Sequence, residues 1–346
     1  MIHLDRGVDT LRLRRMARAV VIAVVVCVAP WVASSEPGEA ALAQAAAAQG
    51  APLACPMHPD VRSRLPGTCS ICGMTLVPTE SVAALQYDVE IQTPRGIAAG
   101  RPFRLQLTVR HPRTRAIIQD FAVVHEKRFH MFVIGADLAH YDHVHPEQQA
   151  DGSWALDVTL PRSGRYRIYS DFLPSGATPQ VSNQPLVTSD VEAGDLAAAE
   201  GRLVPDRLLN HVVGDLSVTL ELPAGGLLAG REEKFLYRLA DARTGKPVYD
   251  VEPYLGAWGH SLAVSENMSK VVHAHPVELV PAGRPTARGG PTLTFKASLP
   301  EAGTYRIWTQ IKRRGEISTA VFTVRAGARA GGGIGPAGPL ERRRGR

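Results

Sequence analysis

The sequence predicts a mainly β protein, with a small Cys/His metal-binding module followed by two tandem immunoglobulin-like antiparallel β-sandwiches. Three observations carry this. From about Tyr87 onward, short period-two runs bounded by Gly and Pro recur, among them Arg104-Leu105-Gln106-Leu107-Thr108-Val109 and Tyr166-Arg167-Ile168-Tyr169, which is the alternation of antiparallel strands. The chain also repeats itself. Shifted by 130 residues, Ala99-Gly100-Arg101 meets Ala229-Gly230-Arg231, His130 meets His260, and His143-Val144-His145-Pro146 meets His273-Ala274-His275-Pro276. Beyond that the shift is 139, where Tyr166-Arg167-Ile168 meets Tyr305-Arg306-Ile307. Third, three of the four cysteines lie together, in Cys55-Pro56-Met57-His58-Pro59 and Pro66-Gly67-Thr68-Cys69-Ser70-Ile71-Cys72-Gly73-Met74.

Residues 1–43 read as a signal peptide or N-terminal anchor. Arg12, Arg14, Arg15 and Arg18 precede an apolar run from Ala19 to Ala33, shorter than the roughly 18 residues of a membrane span, and Ala41-Leu42-Ala43 offers a cleavage site. Residues 44–52 are a linker rich in Ala and Gln, and residues 53–78 form the cysteine module. The first sandwich is expected over 79–190, a connector over 191–210, and the second sandwich over 211–325. Each copy, at about 105 to 115 residues, suits a two-sheet sandwich. The nine extra residues of the second copy fall around Pro281 to Gly290, where Pro and Gly point to a lengthened hairpin loop. Residues 326–346 form a basic, disordered tail. The formal charge of +6 resides in the two ends, +3 before residue 36 and +4 from Ala326, which leaves the body at −1 and without the basic face that nucleic-acid binding requires.

An odd number of thiols in an exported chain cannot close completely into disulfides, so a soft metal is a natural use for them. Cys55 and His58 form one chelating pair and Cys69 and Cys72 another, and the Pro-Gly and Gly-Met turns allow the pairs to meet on one ion. Met57 and Met74 add thioethers, which widens the candidates from zinc to Cu(I). The alternative is a disulfide between two of the three cysteines, stapling a small loop.

These motifs resemble the heavy-metal-binding domain of copper efflux adaptor proteins and of some copper-transporting P-type ATPases. That family shows Cys-Pro-Met-His-Pro, Pro-Gly-x-Cys-Pro-x-Cys-Gly-Met and a following Leu-Val-Pro, here Leu76-Val77-Pro78. Ser70 and Ala54 depart from the pattern at positions that supply no ligand. The resemblance implies handling of copper or a similar soft ion in the cell envelope. More loosely, the body resembles exported immunoglobulin-like domains that accompany such modules.

In each repeat a His-x-His-Pro follows an earlier histidine by thirteen residues: His130 before His143 and His145, and His260 before His273 and His275. Residues two apart on a strand share a face. Phe129-His130-Met131-Phe132-Val133-Ile134 is apolar on both faces, and a turn near Asp137 would set His130 opposite the pair, so that three imidazoles converge on Cu(II) or Zn. Structural histidines within the core are the competing reading. Repeat 2 reads as the poorer site, because Leu255, Ser261 and Lys270 stand where repeat 1 has His125, Met131 and His140. Asp142 is a candidate to orient an imidazole.

The expectation is therefore an exported protein of the periplasm or cell envelope that captures, buffers or delivers copper or a related ion, with copper or zinc bound. Its expected partners are the metal and another envelope or metal-efflux protein. No nucleic acid is expected, and membrane contact only through an uncleaved anchor. It is not expected to be an enzyme, since no Gly-x-Ser-x-Gly, phosphate loop or His-Glu-x-x-His is present, and residues 73–346 hold no Cys for a blue-copper site. The alternatives are a tandem-sandwich interaction protein with a structural zinc knot and, more weakly, a mononuclear metal enzyme at the histidines.

Overall fold

A computed structural model describes residues 53–54, 62–68, 76–78, 86–191, 202–281, 283–284 and 286–328. Every regular element among them is a strand. Three short ones, β1 (Leu53–Ala54), β2 (Arg62–Ser63) and β3 (Val77–Pro78), pair antiparallel in the order β2-β1-β3 and frame the cysteine module. Leu53, Ala54, Leu76 and Val77 are buried there, and the Leu76 N–H donates to the Gly67 carbonyl. Cys55, Met57, His58, Cys69, Cys72 and Met74 lie outside the described residues, as do the expected signal segment and most of the tail.

Repeat 1 comprises β4 (Asp88–Gln92), β5 (Pro102–Arg110), β6 (Phe129–Gly135), β7 (Tyr141–Val144), β8 (Glu147–Gln148), β9 (Trp154–Thr159), β10 (Arg165–Phe172) and β11 (Gln180–Val187). Its two sheets run β4-β5-β9-β8 and β11-β10-β6-β7. Repeat 2 comprises β12 (Asn210–Val213), β13 (Leu216–Glu221), β14 (Leu227–Leu228), β15 (Glu232–Asp241), β16 (Val251–Glu252), β17 (His260–Ser265), β18 (Val271–Ala274), β19 (Thr292–Ser298), β20 (Gly303–Arg313) and β21 (Glu316–Gly327). Its sheets are β12-β13-β15-β19 and β14-β21-β20-β17-β18, with β16 pairing β20. The sequence repeat is thus a structural one: β5, β6, β7, β9, β10 and β11 correspond to β15, β17, β18, β19, β20 and β21. The extra residues of repeat 2 fall between β18 and β19.

Each repeat is a two-sheet sandwich of the immunoglobulin-like class, with alternating strand residues filling its core. Leu105, Leu107, Val109, Met131, Val133 and Ile168 fill the first, and Phe235, Tyr237, Leu239, Phe295, Ile307 and Phe322 the second. A shared corner marks the kinship: the Tyr166 hydroxyl donates to the Arg162 carbonyl at 2.6 Å, and Tyr305 does the same to Glu301 at 2.9 Å.

The both-face apolarity of β6 has a specific cause. Met131 and Val133 point into their own sandwich, whereas Phe132 and Ile134 point the other way. They meet Tyr169 of β10 and, from repeat 2, Leu262, Val264, Met268 and Trp308, forming a third core between the sandwiches. Tyr141 and Trp308 stack across it at 5.1 Å, and the Tyr169 hydroxyl donates to the Met268 carbonyl at 2.8 Å. The connector joins in, for Leu203 is buried in the same cluster and its N–H donates to Glu266. The β11-β10-β6-β7 sheet therefore packs on its counterpart in repeat 2.

Truncating Trp308 removes the largest side chain of this third core and should cost about 3–5 kcal/mol. Calorimetry of Trp308→Ala is expected to show a lower melting temperature and a single transition resolving into two. An unchanged single transition would mean that the sandwiches do not depend on this contact.

Candidate metal centre

The hairpin β6–β7 pairs Phe132 with His143 and Met131 with Val144, so His130, Phe132, His143 and His145 all lie on the face turned away from the sandwich core. The same register holds in repeat 2, where Leu262 pairs with His273. Six histidines are thus delivered by two equivalent hairpins to the inter-repeat interface. His130 is 3 % exposed and His260 fully buried.

Within repeat 1 the His130 Nδ1 lies 3.1 Å from the His143 Nε2 and 3.2 Å from the His145 Nε2. Within repeat 2 the His260 Nδ1 lies 3.4 Å from the His273 Nε2, and His275 completes the triad. All candidate ligand atoms of a triad fall within 4.8 Å of one another. A tetrahedral ion with metal–nitrogen bonds of about 2.0–2.1 Å holds its ligands about 3.4 Å apart, close to the spacings seen.

The hydrogen bonds on the outer side of the rings decide what the inner side offers. His130 donates its Nε2–H to the Val124 carbonyl at 2.9 Å, and His260 makes the same bond to Tyr254. A carbonyl only accepts, so each ring turns an unprotonated Nδ1 inward. His273 donates its Nδ1–H to the Asp171 carboxylate at 2.7 Å, leaving Nε2 as a lone pair. With its amide oxygen toward the ring, Gln310 does the same for His143 at 2.8 Å. The His130 Nδ1 and His143 Nε2 therefore face each other as lone pairs, as do the His260 Nδ1 and His273 Nε2, and each pair is open to a cation or to a donor from the third ring of its triad. The His275 Nε2 is buried with no hydrogen-bond partner among the described residues. Neutral, inward-facing imidazoles of this kind suit zinc, copper or a similar transition ion.

Electrostatics point the same way. Burial, the first cause in every case, holds His143 and His145 down at about 3 and lowers His130, His260, His273 and His275 below the ordinary imidazole range. For all but His130, the charge of a neighbouring imidazole is the next cause. Burial also raises the Asp171 carboxyl to about 6, against the pull of His130 and His125.

The two partners cross the interface reciprocally. Asp171 belongs to repeat 1 and serves His273 of repeat 2, whereas Gln310, its counterpart at the 139-residue shift, belongs to repeat 2 and serves His143 of repeat 1. Asp171 pairs with His130 in the β6–β10 ladder, and Gln310 with His260 in the β17–β20 ladder. Sequence reasoning missed both. The signal was available in the alternation of Tyr169 with Asp171 and of Trp308 with Gln310, which share a face with the interface aromatics. Asp142, the sequence candidate for orienting an imidazole, instead faces His140 at 3.0 Å, outside both triads.

His125, which the sequence places beside repeat 1, lies in a tight turn closed by Val124 and Lys127, with His125 and Glu126 both in the left-handed region at φ +47° and +65°. The turn reaches across to repeat 2, where the His125 ring stacks on His275 at a centroid distance of 3.5 Å and lies 5.6 Å from His260. The extra histidine of repeat 1 is spatially a neighbour of the repeat-2 triad.

In the metal-free protein, the depressed imidazoles make stability depend on pH. The unfolded chain takes up protons on its histidines below about pH 6.5 while folded His143 and His145 stay neutral to about 3, so stability is full above that window and is lost as pH falls through it. Thermal melts of chelator-treated protein should show a falling melting temperature below about pH 6.5, with a shallower fall in His143→Gln/His145→Gln. A melting temperature independent of pH would contradict the buried-neutral assignment.

Comparison with known proteins adds two families. Residues 54–79 match the Heavy metal binding domain, and residues 81–187 and 211–328 match the Domain of unknown function (DUF8832), once for each sandwich. No curated protein matches. Among solved structures the chain is similar to the Escherichia coli adhesin FdeC, at 12 % identity over 73 % of this chain and 67 % of that one, TM-score 0.23. It is also similar to the fibronectin(III)-like modules of Clostridium thermocellum CbhA, at 11 % identity over 68 % and 93 %, TM-score 0.19. A two-domain fibronectin type III segment of chicken tenascin aligns at 11 % identity over 70 % and 100 %, TM-score 0.20. With its duplicated body matched over more than half its length, the chain belongs to the DUF8832 family, carrying two copies of that domain behind a heavy-metal-binding domain.

Proposed function

We propose that this is an exported metal-handling protein of the cell envelope that captures copper, or a related soft ion, for buffering or delivery rather than for catalysis. The observation that carries the reading is the pair of histidine triads in which two of the three ligand nitrogens are turned inward and held unprotonated. Two chemically different sites would then share one chain. Thiolates and thioethers of the cysteine module suit Cu(I), while neutral imidazoles suit Cu(II) or zinc. The apolar run before residue 34 supports export, and export would place both sites where metal enters the cell. A protein of the envelope that receives the ion is the natural partner of such a site.

Elemental analysis of the full chain after anaerobic purification and copper loading tests this. Cys69→Ser/Cys72→Ser is expected to lose one equivalent, and His130→Gln/His260→Gln to lose the histidine-bound metal while keeping the cysteine-bound equivalent. Stoichiometry unchanged by either pair of substitutions would refute the reading.

A further inference from the structure

The two triads do not stand in separate compartments. The His130 and His273 ring centroids are 5.4 Å apart, His143 and His260 5.6 Å, His143 and His273 5.7 Å, and His130 and His260 6.3 Å. Rings of opposite repeats are thus about as close as rings within one triad, where His130 and His143 are 5.4 Å apart and His260 and His273 5.7 Å. The local two-fold relation between the repeats breaks at two points. Asp171 places a carboxylate on His273, whereas Gln310 places an uncharged amide on His143. Repeat 1 also sends His125 onto the repeat-2 triad, where its ring stacks on His275, and the corresponding residue is Leu255, which has no ring to stack.

We propose that the triads form one two-metal centre at the repeat interface, with unequal halves. The repeat-2 half is the tight one, backed from repeat 1 by Asp171 as the carboxylate partner of His273 and covered by the His125 ring stacked on His275. The repeat-1 half, His130, His143 and His145, is the weaker and more readily exchanged. This rests on the reading of the triads as metal sites and goes beyond it by assigning order and origin. A carboxylate hydrogen-bonded to a ligating imidazole raises its basicity and favours the cation, and losing such a partner typically weakens binding tenfold to a hundredfold, by about those factors. Two like charges this close also repel, so the halves should fill in sequence, the carboxylate-backed half first.

The test uses the full chain with Cys55, Cys69 and Cys72 replaced by Ser, and Cu(II) alone as the probe, titrated in competition with a chelator. His130→Gln leaves the repeat-2 half to be measured, and His260→Gln leaves the repeat-1 half. The His130→Gln protein should bind at least about tenfold more tightly than the His260→Gln protein. Adding Asp171→Asn should weaken the first by about tenfold or more and change the second by less than about twofold. In the His260→Gln protein, Gln310→Glu should tighten binding, a gain that misfolding cannot produce. The parent loaded with two equivalents should give the half-field electron paramagnetic resonance signal of paired spins. If Asp171→Asn acts on the repeat-1 half, if the halves bind equally, or if two bound ions show no coupling, the proposal falls while the metal reading stands. If the parent binds no Cu(II), both fall.

Discussion

Strands β6 and β17 are buried on both faces, β6 with apolar residues on each, and a strand buried on two faces must be covered twice. Everything else in the interface follows from that requirement. One face of β6 is covered by its own sandwich and the other by the equivalent sheet of repeat 2, so the two repeats meet through Phe132, Ile134, Tyr169, Leu262, Val264 and Trp308. Histidines placed in period with those residues must end up in the same dry layer. Burial there strips the imidazoles of water and keeps them neutral, which is the protonation state a metal requires. The apolar contact is thus the source of the electrostatics.

Burying so many polar rings costs stability unless their nitrogens find partners. For four of the six rings the fold meets the outer half of that need with acceptors alone: two backbone carbonyls, one carboxylate and one amide oxygen. The inner nitrogens of His130 and His143, and of His260 and His273, are left facing each other as acceptors, so each triad is one donor or one cation short of satisfaction at its centre. Duplication explains the near-symmetry, and the Asp171/Gln310 and His125/Leu255 differences show where the copies have since diverged.

Much of this was legible in the sequence, because the repeat, the period-two strands and the His-x-His-Pro motif are all local patterns. The convergence of His130 with His143 and His145 followed from strand alternation and one turn. What could not be read was the partner across the interface. Asp171 lies on a different strand from His273 and in the other repeat, and nothing in the 130-residue shift indicates that the copies trade groups rather than keep them. His125 misled for the same reason: sequence proximity to His130 suggested repeat 1, while the left-handed turn carries its ring to His275. The cysteine module was read from its motif and its family match, and its geometry lies outside the described residues.

The central claim is that the inward nitrogens of His130, His143, His260 and His273 are unprotonated because the outward ones are held as donors. Two-bond proton–nitrogen correlation spectra of the metal-free protein near neutral pH read this directly. The account predicts the Nε2–H tautomer for His130 and His260 and the Nδ1–H tautomer for His143 and His273. The opposite tautomers, or imidazolium signals at these four rings, would contradict it.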